Sequence, residues 1–219
     1  MTRTAGRKAT RKQQQRSIQT QEKLLDAAAR AFAANGFKGT STRDIAARAG
    51  VHHPLITYHF KSKDELWRAA VSRVFDRFHA VLCGTRQALA DAAPRERAAA
   101  LVREYVHFAA ANPELHKVMF QESSSDNPRI AWLIEQYLRP LYELSVNDLI
   151  ELQQQGVAPP GPPAMLYNLM RLAAGAMLAL RLEVRGTTGL DLDRRANLDQ
   201  LADMLIRIFL SGNAQAAQA

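Results

Sequence analysis

The sequence predicts an all-α protein, with a three-helix N-terminal domain followed by a larger helical domain. Three observations favour this fold. Apolar residues recur at spacings of three and four along most of the 219 residues, apolar–polar alternation is rare, and aromatic residues make up only 7%. Hydrophobic residues at 47% and charged residues at 23% are typical of a folded chain. We expect about nine helices in all.

The N-terminal domain is predicted to contain three helices separated by glycine turns. The first spans about 17–34 and ends at an Asn-Gly pair, where glycine supplies a left-handed residue. The second spans 42–49, because Ser41 is a good cap and an acidic residue follows three positions later. The third spans about 53–60, with Pro54 in its first turn, where proline is tolerated.

A long fourth helix and five further helices are predicted behind this domain. Ser62 caps the fourth, which ends near Gly84. A proline- and glycine-rich connector at 156–163 precedes the last two helices, and Pro140 predicts a kink. The five helices are expected at about 94–111, from Asn112-Pro113 onward, and at 127–155, 164–184 and 192–210.

Positive charge is concentrated in the first third of the chain. Residues 1–68 hold 14 Lys and Arg against 5 Asp and Glu, whereas the remainder holds 15 against 16. Residues 1–16 carry six basic side chains and no acidic one, which suits a polyanion, although a solubilising tail has the same composition. The predicted organisation is a disordered basic arm at 1–16, a helix-turn-helix domain at 17–66, a second domain at 67–211 and a disordered tail at 212–219.

Several classes of protein are disfavoured by what the sequence lacks. A single cysteine, Cys83, excludes a disulfide framework and a thiolate zinc site, so we expect no metal and no cofactor. The six histidines are scattered, and no phosphate loop, nucleophile elbow or HExxH motif occurs, so we do not expect an enzyme. Without a secretory leader or an apolar run of about 20 residues, we expect a cytoplasmic location and no membrane partner.

The helices at 42–49 and 53–60 predict a helix-turn-helix. The glycine turn, the local positive charge and a flanking helix on each side favour DNA binding over a purely structural helix pair. In such a motif the second helix enters the major groove and its N-terminal residues face base edges. Double-stranded DNA is therefore the expected partner.

The register of many residues in this region is also specific. The matching positions are Leu24, Leu25, Ala28, Phe32, Gly36, Thr40, Ser41, Ile45, Ala46, Ala49, Gly50, Val51, Tyr58, His59, Phe60, Lys61, Ser62, Lys63, Glu65 and Leu66. In this register, the run from Lys23 to Leu66 resembles the DNA-binding domain of TetR-type (TetR/AcrR family) transcriptional regulators. The resemblance implies that the second domain binds an effector and forms a dimer.

The resemblance also implies which residues contact DNA. Arg43 is suited to bind a guanine with two hydrogen bonds. Two positions depart from the family: Thr57 stands where tyrosine is usual, and His52 stands where a serine or threonine cap is usual. The implied contacts are Thr42, Arg43, His53, Pro54, Leu55, Thr57, Tyr58, His59, Lys61 and Lys63.

A symmetric dimer is expected because helix-turn-helix proteins usually read two half-sites. The last two helices are the predicted interface, unless their apolar stripes face their own core. The predicted interface residues are Ala173, Ala176, Met177, Leu180, Leu198, Leu201, Leu205 and Ile208.

The resemblance further implies a small-molecule cavity among the central helices. The candidate lining residues are Phe75, Phe78, His79, Tyr105, Phe108, Met119, Phe120, Trp132, Tyr137 and Met170. Ordinary core packing is the alternative for each of them. The aromatic and methionine side chains suit an apolar or aromatic effector, and because few of the candidates are cationic, a highly acidic ligand is disfavoured.

The sequence thus predicts a dimeric, ligand-responsive repressor that binds a palindromic operator and is released by a small hydrophobic or aromatic effector. The alternative is a non-specific or architectural DNA-binding protein with no ligand, which would have a filled core.

Overall fold

The computed structural model describes the backbone of residues 3–210 and the side chains of residues 14, 15 and 17–210. The predicted all-α fold is confirmed, since every regular element in this part of the chain is helical. A π-helical turn at Ile134–Leu138 interrupts the series. The α-helices are α1 (Arg3–Gly39), α2 (Thr42–Ala49), α3 (Pro54–His59), α4 (Lys63–Ala88), α5 (Pro94–Ala111), α6 (Glu114–Glu122), α7 (Pro128–Leu133), α8 (Arg139–Gln154), α9 (Pro163–Ala179), α10 (Arg181–Thr188) and α11 (Arg195–Phe209).

Two predicted helices are each divided in the structure. The predicted helix at 127–155 contains the π-helical turn directly before Pro140, because proline lacks the N–H that a regular α-helix needs there. The predicted helix at 164–184 breaks at Leu180, whose backbone leaves the helical region (φ −99°, ψ 23°). The two parts, α9 and α10, meet at 77°.

The chain forms two compact units, Met1–Val74 and Phe75–Ala219. In the first unit, the apolar stripe of α1 is buried and packs against α2. α1 is interrupted at Gly36, where φ is 70° and ψ is 173°, a conformation open essentially only to glycine. The hydroxyl of Thr40 lies 2.7 Å from the Gly36 carbonyl oxygen, so this buried polar group is satisfied at the interruption.

Side-chain caps set the beginnings of two helices in this unit. Ser41 accepts a hydrogen bond from the backbone N–H of Asp44 at 3.0 Å, as predicted for α2. Ser62 likewise accepts from the N–H of Glu65 at 3.0 Å, and the Glu65 carboxylate accepts from the N–H of Lys61 at 2.9 Å. Both predicted starting points are therefore confirmed.

Helix α4 continues past Gly84 to Ala88, whereas the sequence predicts its end near Gly84. Glycine inside a helix costs only about 1 kcal/mol relative to alanine. Leu82 is buried and Arg86 forms an ion pair with Asp148 of α8, and these contacts hold the additional turn in place.

The structure also differs from the sequence predictions at three other helix beginnings. Residues 3–16, predicted as a disordered arm, are part of α1; the segment has no proline, and its Gln, Arg, Lys and Ala residues favour helix. Asn112 does not cap α6 but donates its side-chain amide to the Phe108 carbonyl at 2.8 Å and ends α5. α11 begins at Arg195, three residues later than predicted. The predicted tail at 212–219 lies outside the described residues.

In the described part of the chain, no helix is by itself both long and apolar enough to cross a membrane. Only α9 and α10 taken together reach the required length and composition, and they are sharply bent at Leu180.

Candidate nucleic-acid interface and effector cavity

The helix-turn-helix in the first unit is held by a small apolar core and a tight turn. Ile45 and Ala46 of α2 and Ile56 of α3 are buried. Gly50 takes a left-handed conformation (φ 66°), and the N–H of Val51 donates to the Ala46 carbonyl at 3.0 Å. These contacts fix the direction in which α3 leaves the turn.

The beginning of α3 has no side-chain cap, and a different contact holds it. His53 is the residue before α3, and its Nε2 lies 3.0 Å from Oγ1 of Thr42 at the start of α2. Two of the predicted DNA-contacting residues thus bind each other across the motif. His52, where the family prefers a capping residue, is exposed.

The structure also shows how Thr57 uses its hydroxyl. This hydroxyl donates to the Pro54 carbonyl within α3 at 2.8 Å. Because a hydroxyl has a single proton, Thr57 has none left for a phosphate oxygen in this state. The tyrosine that the family usually has at this position would have reached further.

The other predicted DNA-contacting residues differ in accessibility. Arg43, Pro54 and Lys61 are exposed, as is Tyr58, whose side chain is 77% accessible. Lys63 is half-buried, and its ammonium lies 4.6 Å from the centre of the Phe37 ring, a cation–π contact that anchors it to the end of α1. Leu55 and His59 are also half-buried. The exposed residues are thus available to DNA, whereas Lys63 also has a structural contact.

The second unit contains a cavity of about 140 Å³ among α4, α5, α6, α8 and α9. Its wall is mostly apolar. Five of the ten predicted lining residues contribute to it: Phe75, Phe78, Tyr105, Met119 and Met170. Half of the predicted lining residues thus lie on the wall of this cavity.

The other five predicted lining residues lie elsewhere in the second unit, which corrects that part of the prediction. His79 is exposed beside Cys83, with Nε2 3.5 Å from Sγ, and Phe120 is 40% exposed. Phe108 packs on the outside of Phe78, with ring centres 5.1 Å apart. The remaining two, Trp132 and Tyr137, pack edge to face with ring centres 5.7 Å apart.

The prediction relied on aromatic and methionine side chains. It therefore left out the leucines and other aliphatic residues of the wall, and Tyr105 is the one polar wall residue that it includes. The aliphatic residues repeat at helical spacing with the predicted ones, as Leu82 follows Phe78, so the periodicity could have indicated them. The polar residues gave no such signal. They are Arg86, His116, Ser145, Asp148, Tyr167 and Arg171.

Three of the wall residues form a buried hydrogen-bonded chain. The Tyr105 hydroxyl donates to the Arg171 carbonyl oxygen at 2.7 Å and lies 2.7 Å from Nε2 of His116. His116 is only 2% exposed, and burial, followed by the positive charge of Arg171, lowers its pKa to about 4. Burial also raises the pKa of Tyr105, so both side chains are neutral near pH 7.

This chain has room only because residue 175 in α9 is glycine. A Cβ at Gly175 would lie 2.5 Å from Nε2 of His116 and closer still to its Cδ2. Nδ1, on the opposite edge of the ring, has no hydrogen-bond partner among the described residues. Gly175 therefore determines where the His116 ring lies.

The predicted dimer residues fall into two groups. Leu198, Leu201 and Leu205 are buried within the chain's own core, at 8%, 7% and 3% exposure, so they are not available to a partner. Leu180 and Ile208 are more than half exposed, Ala173 is exposed, and Ala176 and Met177 are half-buried. The sequence missed further exposed apolar side chains on the last three helices: Met165, Leu169, Leu172, Leu182 and Met204.

Comparison with known proteins identifies a matching family for part of the chain and relatives that align with about half of it. Residues 24–70 match the family described as bacterial regulatory proteins, tetR family. Over 121 residues the chain is 26% identical to YttP of Bacillus subtilis (strain 168), a probable HTH-type transcriptional regulator, with 55% of this chain and 58% of YttP aligned. Over 109 residues it is 32% identical to the HTH-type transcriptional activator FasR of Mycolicibacterium smegmatis (strain ATCC 700084 / mc(2)155), with 49% and 48% aligned. The chain thus spans about half the length of these two relatives.

A solved structure extends the likeness of fold over most of the chain. The transcriptional regulator FadR from Bacillus subtilis, in complex with stearoyl-CoA, superimposes with a TM-score of 0.64 at 19% identity, covering 87% of this chain and 98% of that one. At this identity the likeness extends to the fold. The helices after residue 70 therefore follow the same architecture as those of a known regulator.

Proposed function

Because residues 24–70 match the tetR family and the similar proteins are transcriptional regulators, we propose that the chain is a TetR-type DNA-binding regulator rather than an enzyme, and that it is a homodimeric repressor. A small, largely apolar effector releases it from a palindromic operator in the cytoplasm. The observation that carries the effector part is the cavity in the second unit, because an architectural DNA-binding protein would need none.

In this proposal α3 enters the major groove, and the exposed residues of the motif contact different parts of the DNA. Arg43 and Pro54 face base edges, while Tyr58 and Lys61 contact the phosphate backbone. The bond between Thr42 and His53 holds the beginnings of α2 and α3 together before DNA arrives, so less ordering is needed on binding.

The dimer forms through the exposed apolar residues of α9 and α11. On α9, Met165, Leu169 and Leu172 repeat at spacings of four and three and therefore share one face. On α11, Met204 and Ile208 are one turn apart and exposed. Two copies of these faces make a self-complementary contact, as twofold symmetry requires.

Effector and operator are linked through the helix that contributes to both units. α4 supplies Leu66 and Trp67 to the core of the first unit, and Phe75, Phe78 and Leu82 to the cavity wall. Two recognition helices must lie about 34 Å apart to enter successive major grooves. An effector that favours another spacing weakens DNA binding by its differential affinity for the two states.

The structure of a similarly folded regulator supports an effector with an acyl chain or aromatic body. That FadR structure contains stearoyl-CoA, and the wall of the cavity here is also mostly apolar. FasR, by contrast, is described as an activator. Whether this protein represses or activates transcription therefore has to be measured directly.

The decisive experiment compares two DNA duplexes and then adds effector. Binding of the full chain to DNA from just upstream of its own coding region is measured against random DNA of equal length at physiological salt. We expect a preference of at least about a thousandfold. Equal affinity for both duplexes would support the architectural alternative instead.

A panel of apolar small molecules, screened by thermal stabilisation and then added to the operator complex, tests the response. We expect compounds that stabilise the free protein also to release the DNA. A compound that binds free and DNA-bound protein equally tightly would contradict the linkage.

A further inference from the structure

The charged residues of the cavity wall do not balance. Arg86 and Asp148 form an ion pair with each other and so offset their charges. His116 is neutral because it is buried. Arg171 remains: it is half-buried, and its guanidinium donates to the neutral, exposed side chain of Asn168 at 3.0 Å, with no carboxylate partner among the described residues. The wall therefore carries one uncompensated positive charge.

A second hydrogen-bond donor lies one turn before Arg171 on the same face of α9. Tyr167 also lines the cavity, and its hydroxyl has no hydrogen-bond partner among the described residues. Burial raises the pKa of Tyr167 and Tyr105 and lowers that of His116; the positive charge of Arg171 also acts on all three, opposing the rise at the two tyrosines, so the guanidinium lies near these polar side chains. A guanidinium and a phenol that both lack an anionic acceptor are suited to a carboxylate.

The remainder of the wall suits a hydrocarbon. Phe75, Phe78 and Met170 contribute apolar surface, together with leucines from α5 and α8. A positive charge beside apolar surface is costly unless an anion accompanies it, because the charge is partly removed from water. A ligand with an apolar body and one anionic end satisfies both parts of the wall.

We propose that the effector is an amphipathic monocarboxylate whose carboxylate binds the guanidinium of Arg171 and the hydroxyl of Tyr167, with its apolar body against the aromatic wall. This inference rests on the proposed effector function and specifies its ligand class. It adds one anionic end to the hydrophobic or aromatic effector expected from the sequence, because the candidate wall residues behind that expectation did not include Arg171. A planar guanidinium binds a carboxylate with two parallel hydrogen bonds, which lysine cannot do.

The test uses matched pairs of ligands that differ only at the polar end. Decanoate is compared with 1-decanol and methyl decanoate, and 4-butylbenzoate with 4-butylbenzyl alcohol, by calorimetric titration into the full-length protein near neutral pH. We expect each carboxylate to bind at least about tenfold more tightly than its neutral partners.

Variants of the chain then test whether Arg171 causes this preference. In Arg171→Gln, the ratio of carboxylate affinity to neutral-ligand affinity should fall to about one, while the neutral ligands bind as tightly as they do to the parent protein. Arg171→Lys should keep part of the preference, and this variant also serves if Arg171→Gln does not fold. Arg185→Gln removes an exposed arginine of α10 that does not line the cavity, so it should retain the full preference.

The outcomes separate this inference from the proposed function. If the neutral ligands bind and release operator DNA but the carboxylates show no preference, the carboxylate site is refuted and the effector function stands. A preference unchanged in Arg171→Gln also refutes it. If decanoyl-CoA binds but decanoate does not, the anionic end lies elsewhere and the inference fails. If no ligand of the panel binds while operator binding persists, both the ligand class and the effector function fail.

Discussion

The hydroxyl oxygen of Tyr105 lies 2.7 Å from Nε2 of His116, and this contact fixes the tautomer of the histidine. The single hydroxyl proton is donated to the Arg171 carbonyl, also at 2.7 Å. His116 must therefore carry its proton on Nε2 and donate it to Tyr105, which leaves Nδ1 as an acceptor. The hydroxyl of Tyr105 on α5 thus connects His116 on α6 to the backbone of α9.

Replacing Gly175 by alanine should disrupt this arrangement. The new Cβ would overlap the edge of the His116 ring, so the ring or α9 has to shift, at a cost of about 1–3 kcal/mol. Chemical denaturation measures the loss. Gly84→Ala is the matched control: nothing lies within 4 Å of its added Cβ and its helix is exposed there, so a gain of about 0.5–1 kcal/mol is expected. A Gly175→Ala protein as stable as the parent would contradict the packing described.

The stability of the protein should depend on pH through His116. The folded chain binds this proton only near pH 4, whereas the unfolded chain binds it near the ordinary pKa of 6.5. Stability is therefore fully present above about pH 6.5, falls as the pH drops toward about 4, and levels off below that; the loss is about 3 kcal/mol. Urea unfolding across this range measures it. In His116→Leu the same fall in pH should cost about 3 kcal/mol less, and an identical pH dependence would show that another group is responsible.

Arg43→Ala should weaken binding to the operator far more than binding to random DNA. A base contact with two hydrogen bonds contributes about 1–3 kcal/mol of discrimination, whereas a phosphate contact contributes equally to both duplexes. Gel-shift titration of the two duplexes measures the difference. Arg48→Ala, which removes an exposed arginine from the same helix, is expected to cause a small and equal loss. An equal loss from Arg43→Ala would mean that Arg43 does not read a base.

Removing the basic residues at 1–16 should reduce the salt dependence of DNA binding. Six positive charges lie in this segment, and the slope of log K against log salt becomes shallower by about 0.9 for every phosphate that is no longer neutralised. A full-length variant with the six residues changed to glutamine separates the effect of charge from the effect of deleting the first turns of α1. If the slope of log K against log salt is unchanged both in a variant that lacks residues 1–16 and in the glutamine variant, the segment does not bind DNA.

The sequence was most informative where structure is set by neighbouring residues. α2 has the predicted boundaries because Ser41 begins it and Gly50 ends it, both through local backbone bonds. The break at Leu180 and the extension of α4 past Gly84 follow no such local signal. They depend on the side chains that pack against each helix, and these tertiary contacts cannot be inferred from the local signals of a single sequence.

A similar limit applies to the sites. The apolar stripe of α11 correctly predicts a buried face, but periodicity does not say what covers it: Leu201 and Leu205 pack in their own core. Arg171 was missed because a charged residue between apolar ones suggests solvent rather than a cavity. The positions of the motif residues could be assigned from the resemblance, whereas the bond between Thr42 and His53 could not.

The π-helical turn at Ile134–Leu138 makes the chain tolerant of a change in length at this point. Such a turn holds one residue more than an α-helical turn, so the extra residue is absorbed locally and the helix after it keeps its phase. Leu141 and Asp148 line the cavity in this helical phase. Deleting one amino acid within the turn would restore an uninterrupted helix with Asp148 still facing Arg86, whereas deleting one in the first turn of α8 would rotate the residues after it by about 100° and turn Asp148 away.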